Sequence, residues 1–592
     1  MSFHPNEVGR RANVANVLVA GTFLFLVAAF FRTQVVRNER YALQSEENRL
    51  REVPLPAPRA IIYDRNLQVI AENVPGYSVS LLSPSTDSLR ATLQRLSGTV
   101  ELSTSQIASA VRRYQRAPNR PTVILSDAPF DVVSVLEEHR VEYPGLIIQS
   151  APKRYYPDGA AVASFIGYTG EITEEQLASS EFEEYKAGQQ IGKAGLEKEY
   201  EALLRGREGI RFVEVDARGR VVREVGARQD LLPRGREPLR TSIDLDLQRY
   251  AAELFGDSLQ GGVIALVPAT GEVLALHSAP SFDPNRFIGG IPAAYWRELN
   301  TDPRRPLYNK VTQGRYPPAS TWKLATALIA LEEGVATLDD RMRSPCTGGY
   351  PYFGRYFRCW EREGHGDVTL ARAIEVSCDV YFYQLGLKIG LQRLVAGGVE
   401  LGFREKSGID LPNEATPIFP YATPAAADYF NHRYGPRGWT NAVVLNLSIG
   451  QGENSQTVAN MARFYTALAT DGHAAEPHLV AGEPERTELF SVSPAQMTGL
   501  RAALAGVVSA TGTAGSARIP GMTLAGKTGT AQNPPNPDHA WFVGFAPADD
   551  PKIVVAVMLE YGEHGYFAAR IASKLIERYL RQAPTQLLRT EG

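Results

Sequence analysis

Apolar residues run without a charge from residue 12 to residue 31, close to the start of the sequence. About 20 apolar residues suffice to cross a bilayer as a helix, whereas the apolar part of a cleaved signal peptide is about 7–15 residues long. Arg10 and Arg11 precede the run and Arg32 comes directly after it. The pattern therefore predicts an uncleaved transmembrane anchor over residues 12–31, preceded by a short tail over residues 1–11.

The orientation of this anchor is indicated by the lengths of the two parts that flank it. Positive charges lie at both ends, so the count of Lys and Arg does not decide the topology. A short N-terminal tail before a very long soluble part favours a single-pass protein whose N-terminus is cytoplasmic. No second apolar run of this length occurs in the sequence, and we expect the remainder to be soluble and exported.

Polar, helix-prone residues come after the anchor. Residues 32–52 are predicted to form a helical stalk, which ends before Pro54 because proline removes a backbone donor. Beyond it, alternating runs such as YSVSLL indicate strands, and segments such as SQIASAVRRYQRA have helical spacing. We interpret residues 53–230 as a mixed α/β pedestal module without catalytic character.

A larger domain is predicted over residues 231–585, with a Pro- and Arg-rich linker at residues 233–238. Strand-like runs lie near its start (GGVIALVP, EVLALHSA) and near its end (TLAGKTGTA, HAWFVGFA, KIVVAVMLEY), with helical segments between them. Strands at both ends indicate one sheet assembled from distant segments and packed against helices. The fold class is therefore multi-domain α+β, with residues 586–592 as a C-terminal tail.

Composition narrows the function classes. The 592 residues are 44% hydrophobic and 21% charged, which argues against wholesale disorder and against a polytopic membrane protein. The net charge is −3, so nucleic acid is not an expected partner.

The first chemical motif is a serine with a lysine three residues later. Pro318 stops the preceding segment, and an apolar helix is predicted from Ser320 to Gly334. Ser320 and Lys323 share one helix face. A serine hydroxyl needs an adjacent base to act as a nucleophile, and a lysine with a depressed pKa can be that base. Taken alone the motif is weak, because Ser320 also fits a helix N-cap.

Two further segments carry polar side chains. Residues 526–532 (GKTGTAQ) fit an edge strand that displays Lys527, with Gly529 allowing a substrate backbone to approach closely. The overlapping run GMTLAGKT matches a phosphate loop, but that loop requires a helix directly after it, and Gly529 and two prolines occupy that place instead. Between the two motifs, Ser377 and Asp379 precede an apolar run, where helix capping is the alternative role.

Together these segments form the ordered set S-x-x-K, S-x-[ND] and K-T-G, whose members depend on one another chemically. The set resembles that of the penicillin-recognising serine enzymes. Ser-Cys-Asp, with Asp in place of the commoner Asn, resembles the elongation type of class B penicillin-binding protein, penicillin-binding protein 2. Further segments similar to that class are PRAIIYDRN (58–66), RYYPDG (154–159), GKAGLEKEYEALLRGREG (192–209), SIGQGENSQT (448–457) and AWFVGFAP (540–547).

The resemblance implies a penicillin-recognising transpeptidase fold, with an antiparallel sheet flanked by helices, after a dimerisation-type pedestal. It implies a peptidoglycan D,D-transpeptidase that cross-links stem peptides during cell-wall elongation and is acylated by β-lactams. Ser320 would be the nucleophile, Lys323 its base and Ser377 a proton relay. The implied catalytic residues are Ser320, Lys323, Ser377, Asp379 and Lys527, and the implied substrate-binding residues are Thr528, Gly529 and Thr530.

Partners and location are implied by the same resemblance. The expected partners are stem peptides ending in D-Ala-D-Ala, β-lactams, and the SEDS-family glycosyltransferase of the rod-shape complex. The protein would sit in the plasma (inner) membrane with its catalytic domain in the periplasm, and catalysis needs no cofactor. Two alternatives stay open: a D,D-carboxypeptidase with the same acyl-enzyme, and a membrane-bound β-lactam sensor or scaffold without turnover.

The cysteines suggest a metal site. All three lie in one window with a histidine: Cys346, Cys359, His365 and Cys378. Such a set suits tetrahedral zinc, although the spacing is not that of a zinc finger. Three buried apolar cysteines, or one disulfide, are the alternatives. A structural zinc here would fix the second catalytic motif, which includes Cys378.

Overall fold

The computed structural model describes residues 5–36, 50–118, 120–216, 221–226, 232–482 and 485–586. Its first element is helix α1, Pro5–Phe31, which continues as a π-helical segment, Arg32–Val36. The window Gly9–Val35 is long and apolar enough to cross a membrane, and none of it is buried in the protein. The predicted apolar N-terminal helix is therefore present.

The predicted stalk differs from the structure at its end. Residues 37–49 lie outside the described ranges, but strand β1, Leu50–Leu55, already includes the last three residues of the stalk. Leu50 pairs with Glu214 in an antiparallel ladder. Residues 50–52 are extended rather than helical because their backbone is paired with the strand Gly209–Val215.

The pedestal module is a mixed α/β structure, as expected. Its longest strand, β3, pairs antiparallel with β5 along ten residues, and helices pack on one side of this ribbon. Its further strands are β2 Ile62–Tyr63, β3 Val69–Leu81, β4 Thr122–Leu125, β5 Leu146–Tyr155, β6 Tyr168–Glu171, β7 Gln190–Ala194, β8 Gly209–Val215 and β9 Val221–Gly226. Its helices are α2 Thr86–Leu96, α3 Thr104–Arg116, α4 Phe130–Glu138, α5 Ala163–Ile166, α6 Glu174–Leu177, α7 Gly195–Glu199 and α8 Glu201–Leu204.

The C-terminal domain combines one large sheet with a helical region. Its strands are β10 Leu239–Arg240, β11 Gly261–Leu266, β12 Val273–Ala279, β13 Gly349–Tyr352, β14 Arg355–Arg358, β15 His473–Ala475, β16 Arg486–Glu488, β17 Ala525–Ala531, β18 His539–Ala546 and β19 Ile553–Leu559. Its helices are α9 Leu245–Phe255, α10 Ala293–Thr301, α11 Lys323–Glu332, α12 Leu370–Glu375, α13 Asp379–Ile389, α14 Leu391–Glu400, α15 Ala426–Tyr434, α16 Val443–Ser448, α17 Val458–Ala469, α18 Pro494–Val507 and α19 Gly565–Gln586.

The large sheet has the strand order β12-β11-β19-β18-β17 and is antiparallel throughout. It joins strands from both ends of the domain, which confirms the prediction from the sequence. Successive side chains of a strand point to opposite faces, so Val263 packs in the core shared with α9 and α19, and Ile264 packs in the core shared with α11 and α17. Strand β17 is the last in this order and is therefore one edge of the sheet.

Buried polar contacts fix the pedestal against the C-terminal domain. The Asp64 carboxylate accepts a hydrogen bond of 3.1 Å from the N–H of Leu245, at the start of α9. The Tyr200 hydroxyl donates to Asp410 Oδ2 at 2.7 Å. Strand β10 also pairs with β2 of the pedestal. These contacts join the pedestal directly to the C-terminal domain.

Candidate active site

Ser320 lies in a tight helical turn that leads into α11. The turn, Ala319–Trp322, is a 3₁₀ segment, and the N–H of Lys323 donates to the Ser320 carbonyl. Ala319 has a φ of +49°, an uncommon value for a residue with a side chain, and its N–H donates to the Gly450 carbonyl at 2.9 Å. Ser320 is half-buried between buried neighbours. The predicted helix is present, with a tighter first turn.

Lys323 is fully buried and its ammonium has three partners. Nζ donates to the Ser377 carbonyl at 2.8 Å, to Ser377 Oγ at 3.2 Å and to Asp379 Oδ1 at 2.7 Å. An ammonium has three N–H donors, so this set uses all of them. The Phe382 ring centre lies 5.4 Å from Nζ and adds a cation–π contact.

Ser377 lies in the short connection between α12 and α13. Its φ is +55°, and such strained residues cluster at functional sites. Its Oγ lies 2.8 Å from Lys527 Nζ as well as 3.2 Å from Lys323 Nζ. The N-cap residue of α13 is Cys378, whose side chain makes no capping hydrogen bond. Capping is therefore not the role of Ser377 or Asp379 in this structure.

Lys527 projects from β17 and is fully buried. Its Nζ also donates to the Thr528 carbonyl at 3.2 Å. Burial, and next the positive charge of Lys323, hold the pKa of Lys527 well below its usual range, against the opposing charge of Asp379. Burial raises the pKa of Asp379, which the Lys323 charge partly offsets. The cluster thus combines two lysines and one carboxylate, all of them buried.

Strand β17 passes directly over the Ser320 turn. A Cβ atom added to Gly529 would lie 3.1 Å from the Pro318 carbonyl oxygen and 3.3 Å from Thr321 Cγ2. Only a glycine allows the strand this close approach without displacing its neighbours. The structure therefore places the edge of β17 against the turn that carries Ser320.

The two threonines of this strand differ in exposure. Thr528 is buried and its hydroxyl lies 2.7 Å from the hydroxyl of Thr513. Thr530 is exposed, and its carbonyl accepts a hydrogen bond of 3.3 Å from Gln451 Nε2. The exposed end of β17 is thus the part that a substrate can reach.

Sequence reasoning missed Trp360. Its indole N–H donates to the carbonyls of Val376 at 3.0 Å and Ser377 at 3.1 Å. Its backbone N–H donates to Asp379 Oδ2 at 3.1 Å. The only indication in the sequence is that Trp360 comes directly after Cys359. Thr513 was missed as well, because no motif marks it and only the fold brings it to β17.

The predicted metal ligands converge. One ligand atom from each of Cys346, Cys359, His365 and Cys378 lies within 4.8 Å of every other. His365 Nδ1 lies 3.7 Å from Cys346 Sγ and 3.5 Å from Cys359 Sγ. All three cysteines are buried and free, so the disulfide alternative is not formed.

Comparison with known proteins places this geometry in a family. Residues 54–232 match the penicillin-binding protein dimerisation domain, and residues 261–578 match the penicillin-binding protein transpeptidase domain. The peptidoglycan D,D-transpeptidase MrdA of Acinetobacter baumannii is 32% identical over 590 residues, which cover 95% of this chain and 86% of that protein. MrdA of Escherichia coli is 31% identical over 606 residues, which cover 96% and 94%.

Solved structures agree. The complex between penicillin-binding protein 2 and MreC from Helicobacter pylori matches with a TM-score of 0.78 and 29% identity, over 90% of this chain and 99% of the other. Penicillin-binding protein 2 of Pseudomonas aeruginosa in complex with WCK 5153 matches with a TM-score of 0.66 and 30% identity, over 89% and 96%. The chain therefore belongs to the class B penicillin-binding proteins of the elongation type, the serine D-Ala-D-Ala transpeptidases of peptidoglycan.

Proposed function

We propose that this transpeptidase works through an acyl-enzyme on Ser320, assisted by Lys323, Ser377, Asp379 and Lys527. The observation that carries the proposal is the position of Ser377 Oγ, which lies 3.2 Å from Lys323 Nζ and 2.8 Å from Lys527 Nζ. A hydroxyl between two buried amines is a path for a proton, because it can accept from one and donate to the other.

The protonation states suggest how Lys323 becomes a base. Its nitrogen is engaged by the Ser377 carbonyl, the Ser377 hydroxyl and the Asp379 carboxylate, so it must give up one of these donor contacts before it can accept a proton. Lys527, whose pKa is well below its usual range because of burial and the Lys323 charge, favours the neutral amine. Lys323, once it has released a proton, can accept the Ser320 proton as its oxygen attacks.

The chemical steps are set by this arrangement. Ser320 Oγ bonds to the carbonyl carbon of the penultimate D-alanine as its proton passes to Lys323. The bond to the terminal D-alanine nitrogen breaks as Ser377 gives its hydroxyl proton to that nitrogen and regains one from Lys323. An amine of a second stem peptide then attacks the ester, and Ser320 recovers its proton. The backbone N–H groups of Ser320 and Thr530 are suited to stabilise the oxyanion in both steps.

Substrate binding is assigned to the edge of β17. An extended peptide can add to a free sheet edge through main-chain hydrogen bonds, and Gly529 leaves room for its backbone. Thr528 and Thr530 would bind the terminal carboxylate of the donor peptide.

A direct test is acylation by a fluorescent penicillin. The full-length protein in detergent should carry a stable label on Ser320, and the Ser320→Ala variant should carry none. Incubation with uncross-linked peptidoglycan should then release D-alanine and form cross-links. Release without cross-links would indicate a carboxypeptidase, and a label without release would indicate a sensor or scaffold. A label on another residue would contradict the assignment of Ser320.

We propose that residues 1–11 are cytoplasmic, that residues 12–31 cross the inner membrane, and that residues 53–230 and 231–585 are the periplasmic pedestal and transpeptidase domains. The solved neighbours are a complex with MreC and a component of a peptidoglycan synthase complex. By family resemblance we infer that α1 and the pedestal contact a polytopic SEDS-family glycosyltransferase. Replacing residues 12–31 with an unrelated apolar helix should weaken co-purification with that enzyme while leaving penicillin labelling intact; unaltered co-purification would contradict a contact through α1.

We also propose a structural zinc at the cysteine cluster. Tetrahedral zinc with bonds of about 2.3 Å to sulfur separates its ligand atoms by about 3.8 Å, close to the distances of 3.5 and 3.7 Å around His365 Nδ1. Cys346, Cys359, His365 and Cys378 would hold the ion. It would tie the residue before Trp360 to the residue between Ser377 and Asp379.

Elemental analysis of protein that was purified without any chelator measures the molar ratio of zinc to protein and tests this proposal. We expect about one zinc per chain, and its loss together with a lower melting temperature in the Cys359→Ser variant. A ratio near zero in the wild type would refute the site. Thr347→Ser, an exposed position beside Cys346, is the matched control and should retain the metal.

A further inference from the structure

An exposed stripe of side chains leads from the β13–β14 hairpin into the active site. Tyr356 and Arg358 occupy alternate positions of β14, and Trp360 lies in a bend two residues after its end. All three are exposed, Tyr356 by 58% and Trp360 by 55%. The residues between them point inward: Phe357 is half-buried and Cys359 is buried. Because side chains alternate along a strand, Tyr356 and Arg358 share one face of the hairpin, and the exposed Trp360 comes directly after it along the chain.

This face ends at the catalytic cluster. The Trp360 indole bonds to the Ser377 carbonyl, which also accepts from Lys323 Nζ at 2.8 Å. Strand β17 approaches the same serine through its hydroxyl, which Lys527 contacts. Trp360 and β17 therefore meet Ser377 through different groups, the carbonyl and the hydroxyl.

The chemistry of the stripe indicates its ligand. Among the residues that the structure describes, no carboxylate lies within 4 Å of the Arg358 guanidinium, although Arg is the side chain best suited to bind a carboxylate in two parallel hydrogen bonds. Tyr356 and Trp360 add broad, amphipathic ring surfaces, on which the C–H face of a sugar can pack. A carboxylate-bearing peptide attached to a sugar combines both features.

We infer that Tyr356, Arg358 and Trp360 form the subsite for the acceptor stem peptide of the cross-linking reaction. The inference rests on the proposed function, because it needs the acyl-enzyme on Ser320. The acceptor amine attacks the ester carbonyl, the bond from that carbon to Ser320 Oγ breaks, and the proton that the amine loses passes through Ser377 to Ser320 Oγ. Holding the acceptor favours this amide over hydrolysis by water.

The test separates acylation from transfer in the full-length protein. We would prepare Arg358→Glu and Tyr356→Ala, and measure labelling by fluorescent penicillin and the ratio of cross-linked to hydrolysed product on uncross-linked peptidoglycan strands. Arg355→Glu is the matched control, since Arg355 is also exposed but pairs with Tyr352 on the other face of the hairpin. We expect labelling rates close to wild type and a ratio lowered about tenfold in Arg358→Glu, the effect of one lost charged contact.

The outcomes are distinct from those that test the proposed function. Absence of label in the wild type would contradict the acyl-enzyme on Ser320, and with it the proposed function. Normal labelling with unchanged product ratios in both stripe variants would overturn the acceptor subsite alone. Equal losses of labelling and transfer would also overturn it, because they would assign the stripe to the donor or to the fold. If Arg355→Glu lowered the product ratio as much as Arg358→Glu, the effect would come from the net charge of the protein, and the acceptor subsite would be overturned.

Discussion

Lys323 and Asp379 form an ion pair inside the active site, with 2.7 Å between Nζ and Oδ1. The second carboxylate oxygen of Asp379 accepts the backbone N–H of Trp360 at 3.1 Å. Both oxygens of this side chain therefore serve as acceptors for buried donors. An asparagine has only one acceptor oxygen, and its amide nitrogen is a donor, so it cannot make both contacts.

The variant Asp379→Asn should therefore lose one of the two hydrogen bonds whichever way its amide is oriented. A buried donor left without a partner costs about 1–3 kcal/mol. We expect acylation by fluorescent penicillin to slow by about tenfold, because either Lys323 or the Trp360 backbone N–H loses its partner. Asp367→Asn, an exposed carboxylate of the same region, should label at the wild-type rate. Labelling of Asp379→Asn as fast as wild type would mean that the second oxygen has no part in positioning the site.

Lys527 should make stability depend on pH. Its folded-state pKa is well below its usual range because of burial and the nearby Lys323 charge, whereas an unfolded lysine titrates near about 10.4. Between these two values the unfolded chain binds a proton that the folded chain lacks, so the free energy of unfolding rises with pH.

The variant Lys527→Met removes this dependence. Its melting temperature should exceed that of the wild type at about pH 7, and the difference should shrink at about pH 9.5. Lys310, whose pKa burial lowers to about 8, contributes equally in both proteins and cancels in the comparison. Calorimetry at the two pH values measures the difference. If the melting temperatures of the two proteins changed in parallel with pH, folding would not lower the pKa of Lys527.

The motifs and the sheet could be predicted from the sequence because each depends on local pattern. Ser320 and Lys323 are one helical turn apart, and four strands of the large sheet, β11, β12, β18 and β19, are largely apolar. The left-handed conformation of Ser377 could not be predicted, since a positive φ is uncommon for any residue with a side chain and no local pattern marks it. The predicted end of the helical stalk was wrong because residues 50–52 pair with β8, a distant segment, and are therefore extended.

The role of Asp379 also needed the structure. In the sequence it is a charge beside Ser377, equally suited to a helix cap. Only the fold places it between Lys323 and the backbone of Trp360, which are 56 and 19 residues away. Contacts of such separation leave no trace in local periodicity.

Trp360 should act as a positioning residue through its indole N–H. Trp360→Phe keeps an aromatic ring and the backbone bond to Asp379, but it loses the donor to the carbonyls of Val376 and Ser377. We expect labelling by penicillin to slow by about threefold to tenfold, corresponding to about 1 kcal/mol for one hydrogen bond. Trp296→Phe, at another exposed tryptophan, is the control and should not change the rate.

A merely structural role for Trp360 would lower the melting temperature without slowing the labelling of the folded protein. Rates measured well below the melting temperature of each variant separate the two cases. Unchanged labelling of a less stable Trp360→Phe protein would therefore contradict positioning of Ser377 by the indole.

Gly529 should control the distance between β17 and the Ser320 turn. Its backbone does not have a positive φ, so alanine is allowed there, and any effect must come from the added methyl group. That group would lie 3.1 Å from the Pro318 carbonyl oxygen and 3.2 Å from Trp541 Cβ, tighter than ordinary contact, and overpacking costs about 1–3 kcal/mol. We expect Gly529→Ala to remain folded with acylation slowed by about tenfold or more, because β17 must move away from Ser320. Gly482→Ala, where the nearest atom is 4.0 Å away, should label normally. Wild-type labelling of Gly529→Ala would mean that the close approach of this strand is not required for attack by Ser320.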